Sequence, residues 1–324
     1  AGQVDSHIEH VSASANHGEG IRFDAASDTG SMDLGFKDIH ANDNGADGLQ
    51  VTAHAGGRMV VHGEDITANN NADDGVDLEL TSRETLDITL NNATAGENGG
   101  RGVHLDASAT NATVIARFEH ITANQNGSTN IEAKFTAHRD IIAHFSDITA
   151  NGSERGAGMH VSATNTHDWI VLSFTNVTAN NNSAYGISVV GLSHNGHVST
   201  RFVDNTIQAN GSDGLRVFLT GAGDINVYGK GNVIAQNGND GFRLHAVATG
   251  TATLDFGNGG LGSPGGNSIF GNLGTYDVDN EGSASGGVPE NLIAQSNWWG
   301  TASPDGSRVR RTTYSNWLTT DPNP

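Results

Sequence analysis

An apolar-x-Ala-Asn tetrad recurs along this chain, at Ile39-His-Ala-Asn42, Ile66-Thr-Ala-Asn69, Ile121-Thr-Ala-Asn124, Ile148-Thr-Ala-Asn151, Val177-Thr-Ala-Asn180 and Ile207-Gln-Ala-Asn210. Val11, Ala93, Ile234, Ile269 and Ile293 hold the first position in degenerate copies, so the interval is mostly 27 to 30 residues. A fixed period of this length means that each repeat is one small unit that buries its apolar side only by stacking on its neighbours. About nine residues after each tetrad begins there is a glycine, as at Gly20, Gly48, Gly75, Gly102 and Gly186, with Asn130 in its place once. Asn is the side chain that best tolerates positive φ, which predicts a left-handed turn at this position.

Period-two alternation follows each glycine, as in Val76-Asp-Leu-Glu-Leu80 and Met159-His-Val-Ser-Ala163, and a second alternating run precedes each tetrad, as in Met32-Asp-Leu-Gly-Phe36 and Ile170-Val-Leu-Ser-Phe174. Together with the tetrad this makes three short half-buried strands per repeat. The predicted fold is all-β, a right-handed parallel β-helix of about ten coils of about 27 residues. Stacking would line up Asn42, Asn69, Asn124, Asn151, Asn180, Asn210 and Asn237 as one ladder and Phe36, Phe118, Phe145, Phe174 and Phe202 as one aromatic file. A leucine-rich repeat needs a different Leu and Asn pattern, and a nonapeptide calcium roll needs Asp-Gly pairs every nine residues. Residues 1–296 read as coils, with a Gly-rich inserted loop at 257–267. Residues 297–324, with Asn297-Trp-Trp-Gly300 and Asn316-Trp-Leu318, read as a terminal cap.

With 36 acidic against 16 basic residues the formal charge is −20, and only Arg308, Arg310 and Arg311 form a basic cluster, so a nucleic-acid partner is excluded. There is no cysteine for a disulfide framework. No apolar run is long enough to span a bilayer. A chain beginning at Ala1 is what cleavage of a leader after a small residue, or an arbitrary boundary, would leave.

Coils reading Ala-Asn…Asp-Gly-apolar and an end reading Asn-Trp-Trp-Gly…Pro…Trp-Leu resemble bacterial right-handed parallel β-helix repeat proteins of the pectin-lyase-like superfamily. The resemblance covers nearly the whole chain and implies a secreted or cell-surface protein. It implies no single activity, because that superfamily includes lyases, hydrolases, epimerases, adhesins and structural proteins. Related lyases use calcium-binding carboxylates and an Arg or Lys base. The outward positions beside the tetrads carry Asp38, His40, Asp65, His120 and Asp147, and the one base next to them is Lys37.

Asp38 and Asp65, one coil apart, have the separation of about 5 Å that retaining glycosidases use; His120 beside Asp147 is a second candidate pair. The competing reading is that these residues serve the turn backbone, as Asn92 and Asn176 do at the same position. Asp73 and Asp74 are the calcium candidates, in the oxygen-rich turn Asn69-Asn-Asn-Ala-Asp-Asp74; no cofactor is required by the reading. The histidines scatter over all strands and form no ligand set. The Thr column from Thr67 to Thr178 resembles an ice-binding rank, but its partner rank is charged. The expectation from sequence is a structural, adhesive or self-assembling rod without catalysis, with polysaccharide or like subunits as partners. The alternative is a polysaccharide-active enzyme, a lyase, hydrolase or epimerase, using the face of Asp38 to Asp147.

Overall fold

The computed structural model describes residues 2–324. The chain is a right-handed parallel β-helix of about eleven turns, formed by two parallel sheets that face each other across one continuous core. Coil one comprises strands Val4–Ser12 and Ile21–Ser27, coil two Met32–His40 and Leu49–Ala55, and coil three Met59–Thr67 and Val76–Ser82. The pattern continues through coil five (Val114–Thr122, Ile131–Ala137) and coil seven (Trp169–Thr178, Ile187–Ser193) to coil nine (Ile225–Lys230, Phe242–Ala248). Each strand pairs with its counterpart one coil on, so Ile39 lies beside Ile66 and Ile121 beside Ile148. Like residues therefore stack.

The run before each tetrad and the tetrad's own strand are fused into one nine-residue strand in most of the first seven coils, giving two strands per coil where three were expected. They separate only from coil eight, into His197–Val203 and Thr206–Gln208. The fusion is possible because the bend between them takes a single left-handed residue, Asp38 (φ 53°) in coil two and Asp65 (φ 56°) in coil three, and the ladder resumes at the next residue.

The recurrent glycines are not left-handed. Gly48, Gly75 and Gly102 all have ordinary φ, and so has Asn130. Their requirement is space: a Cβ on Gly75 would lie 2.7 Å from the Ala68 carbonyl oxygen, 2.7 Å from Asn98 Nδ2 and 2.7 Å from the Gly102 carbonyl oxygen. The left-handed residues of the second corner lie elsewhere, at Asp43, Asn70, Glu97, Gln125 and Asn181.

The asparagines form more than one ladder. Asn42 Oδ1 accepts the Asn69 N–H at 2.8 Å, and Asn151 Oδ1 accepts the Asn180 N–H at 2.7 Å, in a half-exposed file. Asn210 and Asn237 are not in it. They continue a second, buried file two residues further along the chain, in which Asn44, Asn71, Asn98 and Asn126 each accept from the coil before and donate to an alanine carbonyl or the next Asn. The reason is register: Thr178 pairs with Thr206, so the Ile207 tetrad is two residues out of step with the Val177 tetrad and Asn205 falls opposite Val177. Asn205 opens a third file with Asn232, Asn267 and Asn297.

Phe118, Phe145, Phe174 and Phe202 stack with ring centroids 5.1 Å apart. Phe36 is outside that file, since the next two coils place Gly63 and Leu90 in its row, and it packs edge-on against Phe23. The segment after Gly257 leaves the coil and returns at Asn267. Its anchor is Asp255, which is fully buried and whose carboxylate accepts the N–H groups of Gly257, Gly259, Leu261 and Ser263 at 2.9 to 3.1 Å. Beyond it, Trp299 is buried against Tyr314, and Arg308 ties the last coil to Asp277 at 2.9 Å. No helix among the described residues is long and apolar enough to cross a membrane.

Candidate functional site

Of the outward residues singled out from the sequence, Asp38, Asp65, His120 and Asp147 fall in one column, the left-handed bend before each tetrad, which also holds His10, Asn92, Asn176 and Asp204, with Gly231 after them. A left-handed bend costs an L-residue about 1 kcal/mol or more, least for Asn and Asp, whose short polar side chains bond locally. That requirement by itself accounts for the residue types. His40 lies two residues beyond, at the head of the threonine file, in register with Thr67.

The column's side chains are bonded along the rod. His10 Nδ1 lies 2.7 Å from Asp38 Oδ2 and His40 Nε2 lies 3.2 Å from Asp38 Oδ1; the hydrogen bond from His10, with the charges of both imidazoles, holds the Asp38 carboxyl below its usual range. Asp65 turns the other way and accepts from Asn92 Nδ2 at 2.5 Å. Asp38 and Asp65 thus occupy successive coils, but each carboxylate is bonded to a different neighbour. Asp147 accepts from Asn176 Nδ2 at 2.6 Å, with His120 Nε2 3.8 Å away and His120 Nδ1 3.2 Å from Asn91 Oδ1. Lys37 is bonded to Glu64 at 2.6 Å, and this bond and charge raise its pKa, so it stays protonated. A general base must be unprotonated near its working pH.

Asp73 and Asp74 lie with Asp47 in one oxygen cluster, and Asp74, Asp77 and His104 in a second. Asp74 Oδ1 accepts the Arg101 N–H at 2.6 Å and Oδ2 meets the Arg101 guanidinium at 2.8 Å, so both oxygens are engaged and a calcium ion there would have to displace a cation. His104 Nδ1 is 2.6 Å from Asp77 Oδ1; burial works against that carboxylate, but His104 and Gln50 outweigh it and its pKa is lowered. Burial also raises Asp47, to about 6, with Asp74, Asp77 and Asp73 as like charges adding to it. The acids before the recurrent glycines have a backbone role: Asp47 Oδ1 accepts the Asp74 N–H, and Asp213 Oδ1 the Asp240 N–H.

A third feature was not read from the sequence. On the outward face of the seven-residue strands, coils seven to nine present Val190, Leu192, Phe218 and Val247. Phe218 is 37% exposed and stacks on His245 with centroids 4.6 Å apart; Arg216 stands over the Tyr185 ring and donates to its hydroxyl at 2.7 Å. The signal was Phe218 at the polar phase of Leu215-Arg-Val-Phe-Leu219. Trp169 is likewise outward, 39% exposed and stacked on His197 at 4.3 Å.

The fold and these files define a parallel β-helix solenoid. Compared with family models, curated proteins and solved structures, the chain finds no match in any of the three.

Proposed function

We propose that this chain is a secreted β-helix protein of a bacterial surface or extracellular matrix, in which the rod itself has a structural, adhesive or self-assembling role without catalysis. Its repeat and its Trp-Trp-Gly end resemble those of the pectin-lyase-like superfamily. One observation carries the reading: the polar column that would have to be the active site is the left-handed bend of the strands, bonded from coil to coil, and its neighbouring base Lys37 is held by Glu64. Uronate cleavage needs a free base and a means of neutralising a carboxylate, and Lys37, the Lys or Arg next to this column, is already paired with Glu64. The reading predicts no turnover when purified protein is screened against uronate and neutral polysaccharides by absorbance of unsaturated product and by reducing ends.

The second reading, a polysaccharide-active enzyme, draws on the exposed His120–Asp147 approach at 3.8 Å, with His40, Asp38 and Asp65 on the same face. Turnover that disappears in Asp147→Asn, a change the bend tolerates, would establish it and overturn the first.

A further inference from the structure

Asn is followed by Gly eight times in this chain. In five of these pairs the Asn belongs to the buried ladder, at Asn44, Asn98, Asn126, Asn210 and Asn237; its amide is bonded to neighbouring coils, and the glycine N–H donates to a carbonyl of the coil before at 2.7 or 2.8 Å. The same two groups are held at Asn151, where Oδ1 accepts the Asn180 N–H and Gly152 donates to the Asn180 carbonyl. They are held at Asn258 too, where Nδ2 donates to Ser296 Oγ and Gly259 donates to Asp255 Oδ1. Asn195-Gly196 is held at neither: Asn195 is exposed and its amide has no hydrogen-bond partner among the described residues, and the Gly196 N–H has no acceptor there. Register is the reason. Ser193 pairs with Gly221 and Val198 with Ile225, so the next coil crosses with residues 222–224 the turn that here takes residues 194–197. Its N–H groups reach the carbonyls of Ser193 and Gly196 and step over His194 and Asn195. Toward the coil before, His194 and His197 donate to Asn165 and Asp168, and the two N–H groups between them are left over.

We infer that Asn195 is a site of spontaneous covalent modification, at which the folded rod converts one neutral amide into a carboxylate. The Gly196 N–H gives its proton to solvent base, and the nitrogen forms a bond to Asn195 Cγ. The Cγ–Nδ2 bond breaks, and Nδ2 leaves as ammonia with a proton from water. Water then opens the cyclic imide, at Cγ to give aspartate or at the Asn195 main-chain carbonyl to give isoaspartate. The attack requires the peptide to turn toward the side chain until the reacting atoms meet. At the other Asn-Gly pairs that rotation breaks hydrogen bonds, so they react only through the molecules in which their coil is open; at Asn195 it breaks none. The glycine is imposed by packing, because a Cβ on Gly196 would run into the Asp168 carbonyl oxygen, and a residue without a side chain leaves its nitrogen open to attack. The product adds a negative charge to an outward turn. No ladder bond is made by Asn195 itself, so the coils on either side stay stacked. The inference is independent of what the rod does.

The test is peptide mapping by mass spectrometry on the whole folded protein, aged at neutral and at mildly alkaline pH beside the same protein in denaturant, with fragmentation that separates aspartate from isoaspartate. In the folded protein the mass increase of an amide turned to an acid should appear at Asn195 about tenfold or more faster than at any other Asn-Gly pair. The rate should rise with pH, as the attacking nitrogen gives up its proton more readily, and ammonia should be released in equal amount. In denaturant the eight pairs should come within a few-fold of one another, since only the fold distinguishes them. Asn195→Gln, whose longer side chain closes a larger ring slowly and which removes no hydrogen bond, should abolish the early ammonia release and leave the denaturation midpoint unchanged. An intact Asn195 in folded protein aged until the denatured sample has reacted overturns the inference. So does a ladder pair such as Asn98-Gly99 that keeps pace with Asn195 in the folded rod, and so does aspartate formed without isoaspartate, which would rule out the imide.

Discussion

Asn130 stands in for an asparagine that Ser153 lacks. From Asn16 to Asn272 the buried ladder takes an Asn from every coil except coil six, where Ser153 is too short to bridge; Asn130, from the glycine column, accepts from Asn126 Nδ2 at 2.8 Å and donates to Asn182 Oδ1 at 3.0 Å. Asn130→Gly should therefore leave Asn126 and Asn182 unsatisfied and cost about 1–3 kcal/mol. The double variant Asn130→Gly with Ser153→Asn rebuilds the ordinary ladder and should return to within about 0.5 kcal/mol of the parent. Amide exchange at coils five to seven, read beside chemical denaturation, distinguishes the two.

Gly102→Ala tests the close-approach role of the glycine column. Its Cβ would lie 2.6 Å from the Ala95 carbonyl oxygen and 2.7 Å from that of Asn130, both backbone atoms that cannot rotate away. A loss of about 2 kcal/mol or more is expected. Gly18, with nothing within 4 Å of its Cβ and no positive φ, is the control; its alanine variant should be neutral or up to about 1 kcal/mol more stable. Equal losses at both positions would refute the packing argument.

Asp255→Asn should release the segment after Gly257. The carboxylate accepts four backbone N–H groups while fully buried, and an amide replaces one acceptor oxygen by an NH2 that faces donors. A cost of about 3 kcal/mol is expected. Limited proteolysis should then cut within 258–266 while the coils before it stay protected.

Asp47 makes the rod less stable as pH rises from about 4 to about 6. Its folded pKa, raised to about 6 by burial and by the acids around it, lies above the unfolded value, so the folded state binds the proton more tightly through this window and loses that advantage as the group ionises. The loss is on the order of 2–3 kcal/mol. Asp47→Asn keeps an acceptor for the Asp74 N–H. It should be more stable than the parent at pH 7 by up to about 2 kcal/mol and flatter between pH 4 and 6. Denaturation midpoints across that range check the sign.

The β-helix, its period and the inward rows were legible in the residues themselves, because apolar phase and a 27-residue repeat decide them locally and every coil repeats the evidence. The Thr file, Asn42 over Asn69, and Phe118 over Phe145 follow directly. The identity of the bend was legible only as residue type: Asp38, Asp65, His120 and Asp147 read as turn residues with catalytic groups as the competing reading, and the difference lies in φ and in which neighbour each one bonds, which no spacing records. The role of the glycines was set in three dimensions, since Gly75 is small for what the next coil brings toward it. So were the register shift that moves Asn210 into the buried ladder, the exchange between Asn130 and Ser153, and the grouping of Phe218, His245 and Arg216. Residues 27 apart meet by repetition and can be foreseen; partners that cross columns meet only because stacking brings unlike positions together, and there the tertiary structure alone decides.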